Sequence, residues 1–66
     1  MKNNIRIERA RLNITQAELA EKVSVSRQTI NAMESNKYVP STVLALKIAK
    51  VFGMAVEELF LLEEGD

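Results

Sequence analysis

Apolar residues recur at helical spacing through most of this chain, and polar breaks divide the pattern into five segments. The most regular pair lies between Gln16 and Ser35, in the run QAELAEKVSVSRQTINAMES. Leu19, Ala20 and Val23 share one face of a helix from about Gln16 to Val23. Ile30 and Met33 share one face of a second, from about Arg27 to Ser35 or Asn36. The polar break at Ser24 to Ser26 separates them, with Val25 as an apolar plug in the turn and a Ser26 oxygen placed to cap the second helix. Two such short helices cannot bury both apolar faces alone, so flanking helices must complete the core.

The flanking segments supply them. Residues Asn3 or Asn4 to Asn13 predict a first helix, with Ile5 and Leu12 on one face, Arg9 between them, and Asn13 tolerating a left-handed C-cap. Glu8 falls where an apolar residue is expected, which predicts that it leans to solvent or pairs with a nearby arginine. Thr15 and Glu18 form a T-x-x-E capping box that opens the second helix. Pro40 disfavours helix before it, and Ser41 is an N-cap for a fourth helix that runs to Phe52 and stops at Gly53. Only Lys47 and Lys50, with Val43 between them, form its outward strip. The apolar remainder is wider than the roughly 100° stripe of a surface helix, so this helix is either central or also meets a second subunit. A fifth helix, about Val56 to Phe60, starts after Ala55, which cannot cap it. An acidic tail, 63–66, is expected to fray. The pattern is that of an all-α, compact five-helix fold in one domain over 1–66, with the helix, turn and helix at about 16–35.

Composition narrows the function. At 66 residues the chain is near the lower limit for a core without staples, and it has no cysteine for a disulfide or thiolate metal site. No apolar run approaches the roughly 18 residues of a membrane span, and MKNNIRIERA lacks a signal-peptide apolar region, which predicts a soluble cytoplasmic protein. With no histidine, no cysteine and scattered acidic residues, the chain offers no acid-base or metal constellation. The reading is a non-enzyme without cofactor, metal or evident small-molecule ligand.

The net charge is zero but unevenly distributed. Through Lys37 there are seven basic residues against four acidic ones, a balance of +3, and the remainder carries −3. Such asymmetry suggests one face for phosphates and another turned away. If Ile30 and Met33 point inward, Gln28, Asn31 and Ser35 point outward, with Arg27 and Ala32 at the edges. Arginine can fork onto guanine O6 and N7, and Gln and Asn can pair with adenine N6 and N7. Arg27 and Gln28 also lie in the first turn, the part of a recognition helix that enters the major groove.

The string TQAELAEKVSVSRQTINAMESNKY, continuing into Pro40 and Ser41, resembles the helix-turn-helix of the phage repressor and Cro family, the XRE-type regulators. The segment LALKIAKVFGMAVEELF resembles the helices that close that family's five-helix DNA-binding domain, so the likeness spans about Ile5 to Phe60. Ser24 departs from the family's usual glycine, at a cost of about 1 kcal/mol if its backbone is left-handed. Ala55 departs from its usual capping serine.

Carried over by position, the resemblance implies that Arg27, Gln28 and Asn31 read bases while Ala32 offers only methyl contact. It implies phosphate contacts from Gln16, at the start of the second helix, and from Thr29, Asn36, Lys37 and Tyr38. It also implies an ion pair between Arg9 and Glu34 that orients the recognition helix. One recognition helix touches too few base pairs for specificity in a genome. We therefore expect a homodimer on double-stranded DNA, joined through the apolar residues Val56, Leu59, Phe60, Leu61 and Leu62. The implied function is a transcriptional regulator, a repressor on a palindromic operator. The alternative is a protein-binding module such as the antitoxin of a toxin-antitoxin pair.

Overall fold

Four of the helices end in the same way, and that repeated device sets the path of the chain. The computed structural model describes residues 1–66 in the order β1 (Lys2–Asn3), α1 (Ile5–Leu12), α2 (Gln16–Lys22), α3 (Arg27–Glu34), α4 (Thr42–Phe52), α5 (Val56–Leu59) and β2 (Phe60–Leu61). After α1, α2, α3 and α4 the chain turns through a left-handed residue: Asn13 (φ 58°), Ser24 (φ 60°), Asn36 (φ 59°) and Gly53 (φ 65°). In each case that residue's N–H donates to the carbonyl three residues back, and the next N–H donates to the carbonyl five back, which is the Schellman closure. The next residue is apolar after α1, α2 and α4, where Ile14, Val25 and Met54 pack on the core. After α3 it is Lys37, which is exposed.

The helix starts are equally local. Thr15 Oγ1 accepts from Glu18 N (3.0 Å) while Glu18 Oε1 accepts from Thr15 N (2.9 Å), completing the capping box. Ser26 and Ser41 accept from Thr29 N and Leu44 N. At α5 only half a box exists: Glu58 Oε1 accepts from Ala55 N (2.9 Å), and Ala55 has no oxygen to return the bond.

These ends direct Ile5, Leu19, Val23, Ile30, Met33, Ile48 and Leu59 into one interior, all but inaccessible to water. The resulting radius of gyration, 10.8 Å, matches the roughly 11 Å of a compact chain this long. The fold is mostly helical with five helices, but it is closed by a short antiparallel ribbon that periodicity does not reveal. Lys2 pairs with Leu61 and Asn3 with Phe60, and Asn4 N donates to Leu59 O at 2.9 Å.

Several expectations change as a result. The fifth helix stops at Leu59, and Phe60 and Leu61 form β2. Leu59 is completely buried within the single chain, so it is not left over for a partner, and Phe60 keeps only an 8% exposed edge at the surface. Exposed apolar residues lie on and before α4, where Val39, Val43 and Leu46 are 68%, 63% and 54% exposed, and also at Ile7 (63%) and Leu62 (82%). Leu12 faces largely outward. Glu8 does not lean to solvent; it is buried and meets Arg11 at 3.2 Å. The acidic tail turns back, with Glu63 and Asp66 each 3.1 Å from the Met1 amino group, whose pKa the two carboxylates raise.

Candidate nucleic-acid interface

The outward face of α3 follows from its inward one. Burying Ile30 and Met33 leaves Arg27, Gln28 and Asn31 exposed, with Thr29 and Ala32 half-buried at the edge. Ser26 caps the helix through Thr29 N (3.1 Å) and also shares a hydrogen bond with the Thr29 hydroxyl (2.9 Å), so that hydroxyl is turned toward the cap. Ser35 bonds back to its own helix, donating to Asn31 O at 2.9 Å.

A polar network joins this face to the rest of the molecule through Glu34, whose side chain is completely shielded from solvent. Arg9 grips it with two donors, Nε to Oε2 at 2.6 Å and Nη2 to Oε1 at 3.1 Å, and its third contact is to Ile14 O. Gln16 Nε2 donates to Glu34 Oε1 (3.0 Å) and to Asn31 Oδ1 (3.2 Å), while Gln16 Oε1 accepts from Arg27 Nη1 (3.1 Å). Gln16, tied to the carboxylate that Arg9 grips, thereby holds two of the outward side chains of α3, Arg27 and Asn31, from beneath. Burial opposes the Glu34 charge, but hydrogen bonds from Arg9, Gln16 and Arg6 outweigh it and hold the carboxyl below the ordinary range. The same bond raises the Arg9 pKa.

The loop after α3 places Asn36, Lys37 and Tyr38 at the surface. Asn36 is partly engaged, accepting from Asn3 Nδ2 at 3.3 Å, and the same Asn3 group donates to Met33 O at 2.8 Å. Lys37 makes no ion pair, and its N–H donates to Ala32 O at 2.8 Å, which fixes its backbone beside the helix end. Between this loop and α3 lies an open cleft of about 340 Å³ lined by Ser26, Gln28, Thr29, Ala32, Lys37 and Tyr38. Of the residues expected at a subunit contact, Val56 is half-buried, and Leu61 and Leu62 are exposed on the far side of the sequence from this face.

Sequence reasoning missed two participants. Arg6 reaches Glu34 at 3.5 Å, and its position one turn before Arg9 was the available signal. Asn3 ties β1 to the end of α3, and no local pattern announces that contact.

The fold and this surface define a helix-turn-helix protein, with α2 bracing α3 and α3 presenting its polar face outward. Residues 5–59 match the Helix-turn-helix family model, and the chain belongs to that family, in its XRE-type branch. It is 52% identical over 66 residues to an HTH-type transcriptional regulator of Methanocaldococcus jannaschii, covering 100% of both chains. It is 52% identical over 64 residues to the HTH-type transcriptional regulator YgzD of Bacillus subtilis, covering 97% of each. Among solved structures it is similar to the N-terminal DNA-binding domain of SinR from Bacillus subtilis, with a TM-score of 0.77, 28% identity, and 94% and 90% of the two chains covered. No helix is long and apolar enough to cross a membrane.

Proposed function

We propose that this chain, a helix-turn-helix transcriptional regulator that binds DNA, acts as a repressor on a palindromic operator. The observation that carries the reading is the network in which Glu34 and Gln16 hold Arg27 and Asn31 on the exposed face of α3, with the unpaired Lys37 at its end. Arg27, Gln28 and Asn31 have the donor and acceptor patterns that major-groove base edges require. Lys37 and Tyr38 supply phosphate contacts that set register. Asn36, Thr29 and Gln16 are the weaker phosphate candidates, because each already has a partner within the chain.

Specificity requires two copies, with recognition helices in successive major grooves about 34 Å apart. The surface we assign to that homodimer is the apolar groove of about 290 Å³ lined by Val39, Pro40, Ala45, Leu46, Val56 and Phe60. Leu61 and Leu62 extend the apolar surface at the chain end, and Leu59 contributes from the core side only. Selection of bound duplexes from a random pool tests the whole reading. The expected product is a palindrome with half-site centres about 10 base pairs apart, bound less tightly as salt rises. Binding without sequence preference, or to a single half-site by a monomer, overturns it.

A further inference from the structure

We propose that Asn3 is a positioning residue for DNA binding: from β1 it sets the loop that carries Lys37 and Tyr38 to the phosphates. The inference rests on the DNA-binding reading above and names the element that places those contacts. Among the four left-handed closures, the one after α3 lacks an apolar lock. After α1, α2 and α4 the next residue, Ile14, Val25 or Met54, packs on the core and holds the turn. After α3 it is Lys37, which is exposed and without an ion-pair partner.

The Asn3 amide stands where that lock is missing. Its Nδ2 donates to Met33 O at 2.8 Å and to Asn36 Oδ1 at 3.3 Å. Met33 O is also the carbonyl that accepts from Asn36 N (3.0 Å) in the closure, so the bridge acts on the turn itself. No other hydrogen bond ties residues 36–40 to an element beyond α3. Asn3 is in turn held from two sides. Its backbone pairs with Phe60 across the ribbon, Asn4 N donates to Leu59 O at 2.9 Å, and Asn3 Oδ1 accepts from Ile5 N at 3.2 Å. With its oxygen engaged there, the amide has both hydrogens on the end of α3. The Lys37 ammonium has no partner to hold it, so its reach is set by the backbone that Asn3 fixes. The two-residue ribbon therefore does more than close the fold: it carries the brace for the phosphate-binding loop.

The test uses the full chain with its selected operator and a scrambled duplex of equal length. Asn3→Ser keeps an oxygen for Ile5 N but is too short to reach α3. Dissociation constants are measured over a range of salt, at a temperature where circular dichroism shows each variant fully folded, so that a loss of global stability leaves them unmoved. Should Asn3→Ser melt too low, the same comparison is made with Ser24→Gly in parent and variant alike. Asn3→Ser is expected to weaken both duplexes by one factor, about fivefold, the worth of one hydrogen-bonded contact. The salt slope is expected to fall by about one as Lys37 leaves its phosphate. Added to Lys37→Ala, Asn3→Ser is expected to cost at most about twofold, because the contact it positions is already gone. An unchanged salt slope, or a full fivefold loss on top of Lys37→Ala, overturns the assignment while DNA binding stands. If the parent chain binds neither duplex, the DNA reading falls, and this assignment with it.

Discussion

Replacing Glu34 by glutamine tests how much of the fold and of its reading face depends on one shielded carboxylate. Four donors converge on it: Arg9 Nε at 2.6 Å, Arg9 Nη2 at 3.1 Å, Gln16 Nε2 at 3.0 Å and Arg6 Nε at 3.5 Å. A glutamine has one acceptor oxygen. Keeping it at the Oε1 position retains three of these contacts and turns an amide NH2 against Arg9 Nε, donor against donor. It also leaves the Arg9 charge, only 16% exposed, without its counterion. Breaking a buried pair in this way costs about 3 to 5 kcal/mol, and the three surviving contacts argue for the lower end. A chain of 66 residues has roughly 3 to 10 kcal/mol of stability, so Glu34→Gln is expected to melt roughly 12 to 24 °C below the parent. The double variant Arg9→Met with Glu34→Leu removes both charges, and its stability should return to within about 1 kcal/mol of the parent. It should still bind the operator poorly, because Gln16 has lost the acceptor that fixes its amide. Thermal and urea unfolding give the stabilities, and fluorescence anisotropy with labelled operator gives the affinity. A Glu34→Gln protein that melts within about 5 °C of the parent refutes the reasoning, as does a double variant less stable than Glu34→Gln.

Ser24→Gly should raise stability by about 1 kcal/mol, because φ 60° strains any residue with a β-carbon; thermal unfolding measures it, and no gain means that the turn relaxes at no cost. Ala55→Ser should add about 0.5 to 1 kcal/mol by completing the half-formed box at α5, read in the same assay. Lys37→Ala should weaken operator and scrambled DNA alike and reduce the salt slope by about one, whereas Arg27→Ala should cost about 1 to 3 kcal/mol on the operator alone. Because the Glu34 carboxyl has a lowered pKa in the folded state, its stabilisation is complete above the ordinary carboxylate value and is lost as pH falls through the folded one. Melting temperature should therefore decline below about pH 4, and Glu34→Gln should flatten that decline.

What the sequence reveals and what it conceals divide by range. Thr15 with Glu18, Ser26, Ser41, Asn13 and Gly53 mark helix ends through bonds to residues three to five away, so a local pattern suffices. The exposed positions of α3 follow from Ile30 and Met33 by geometry alone. The ribbon joining residues 2–3 to residues 60–61 has two residues per strand, too few for an alternation to register, and its pairing spans the whole chain. Without it, Phe60 reads as a leftover apolar residue and the tail as free. At Glu8 helical spacing marks a core-facing position and the nearby arginines a pairing, and of the two alternatives the sequence leaves open the structure shows the pair, with Arg11 at 3.2 Å and Glu8 buried.

Gln16 shows how far a correct position can fall short of a role. Its place at the start of α2 suggests a phosphate ligand, yet an amide NH2 has two hydrogens, and both are spent on Glu34 and Asn31 in the free protein. A phosphate bond from that group must displace one of them. Glu34 is shielded and charged while Asn31 is exposed and neutral, so Asn31 is the partner to be given up. Two outcomes separate the roles. If Gln16 chiefly contacts phosphate, Gln16→Ala weakens operator and scrambled duplexes by the same factor. If it chiefly positions Arg27 and Asn31, the operator alone suffers and the ratio of specific to non-specific affinity collapses toward one. The three bonds to protein partners predict the second result, and an unchanged ratio would remove Gln16 from the account of specificity.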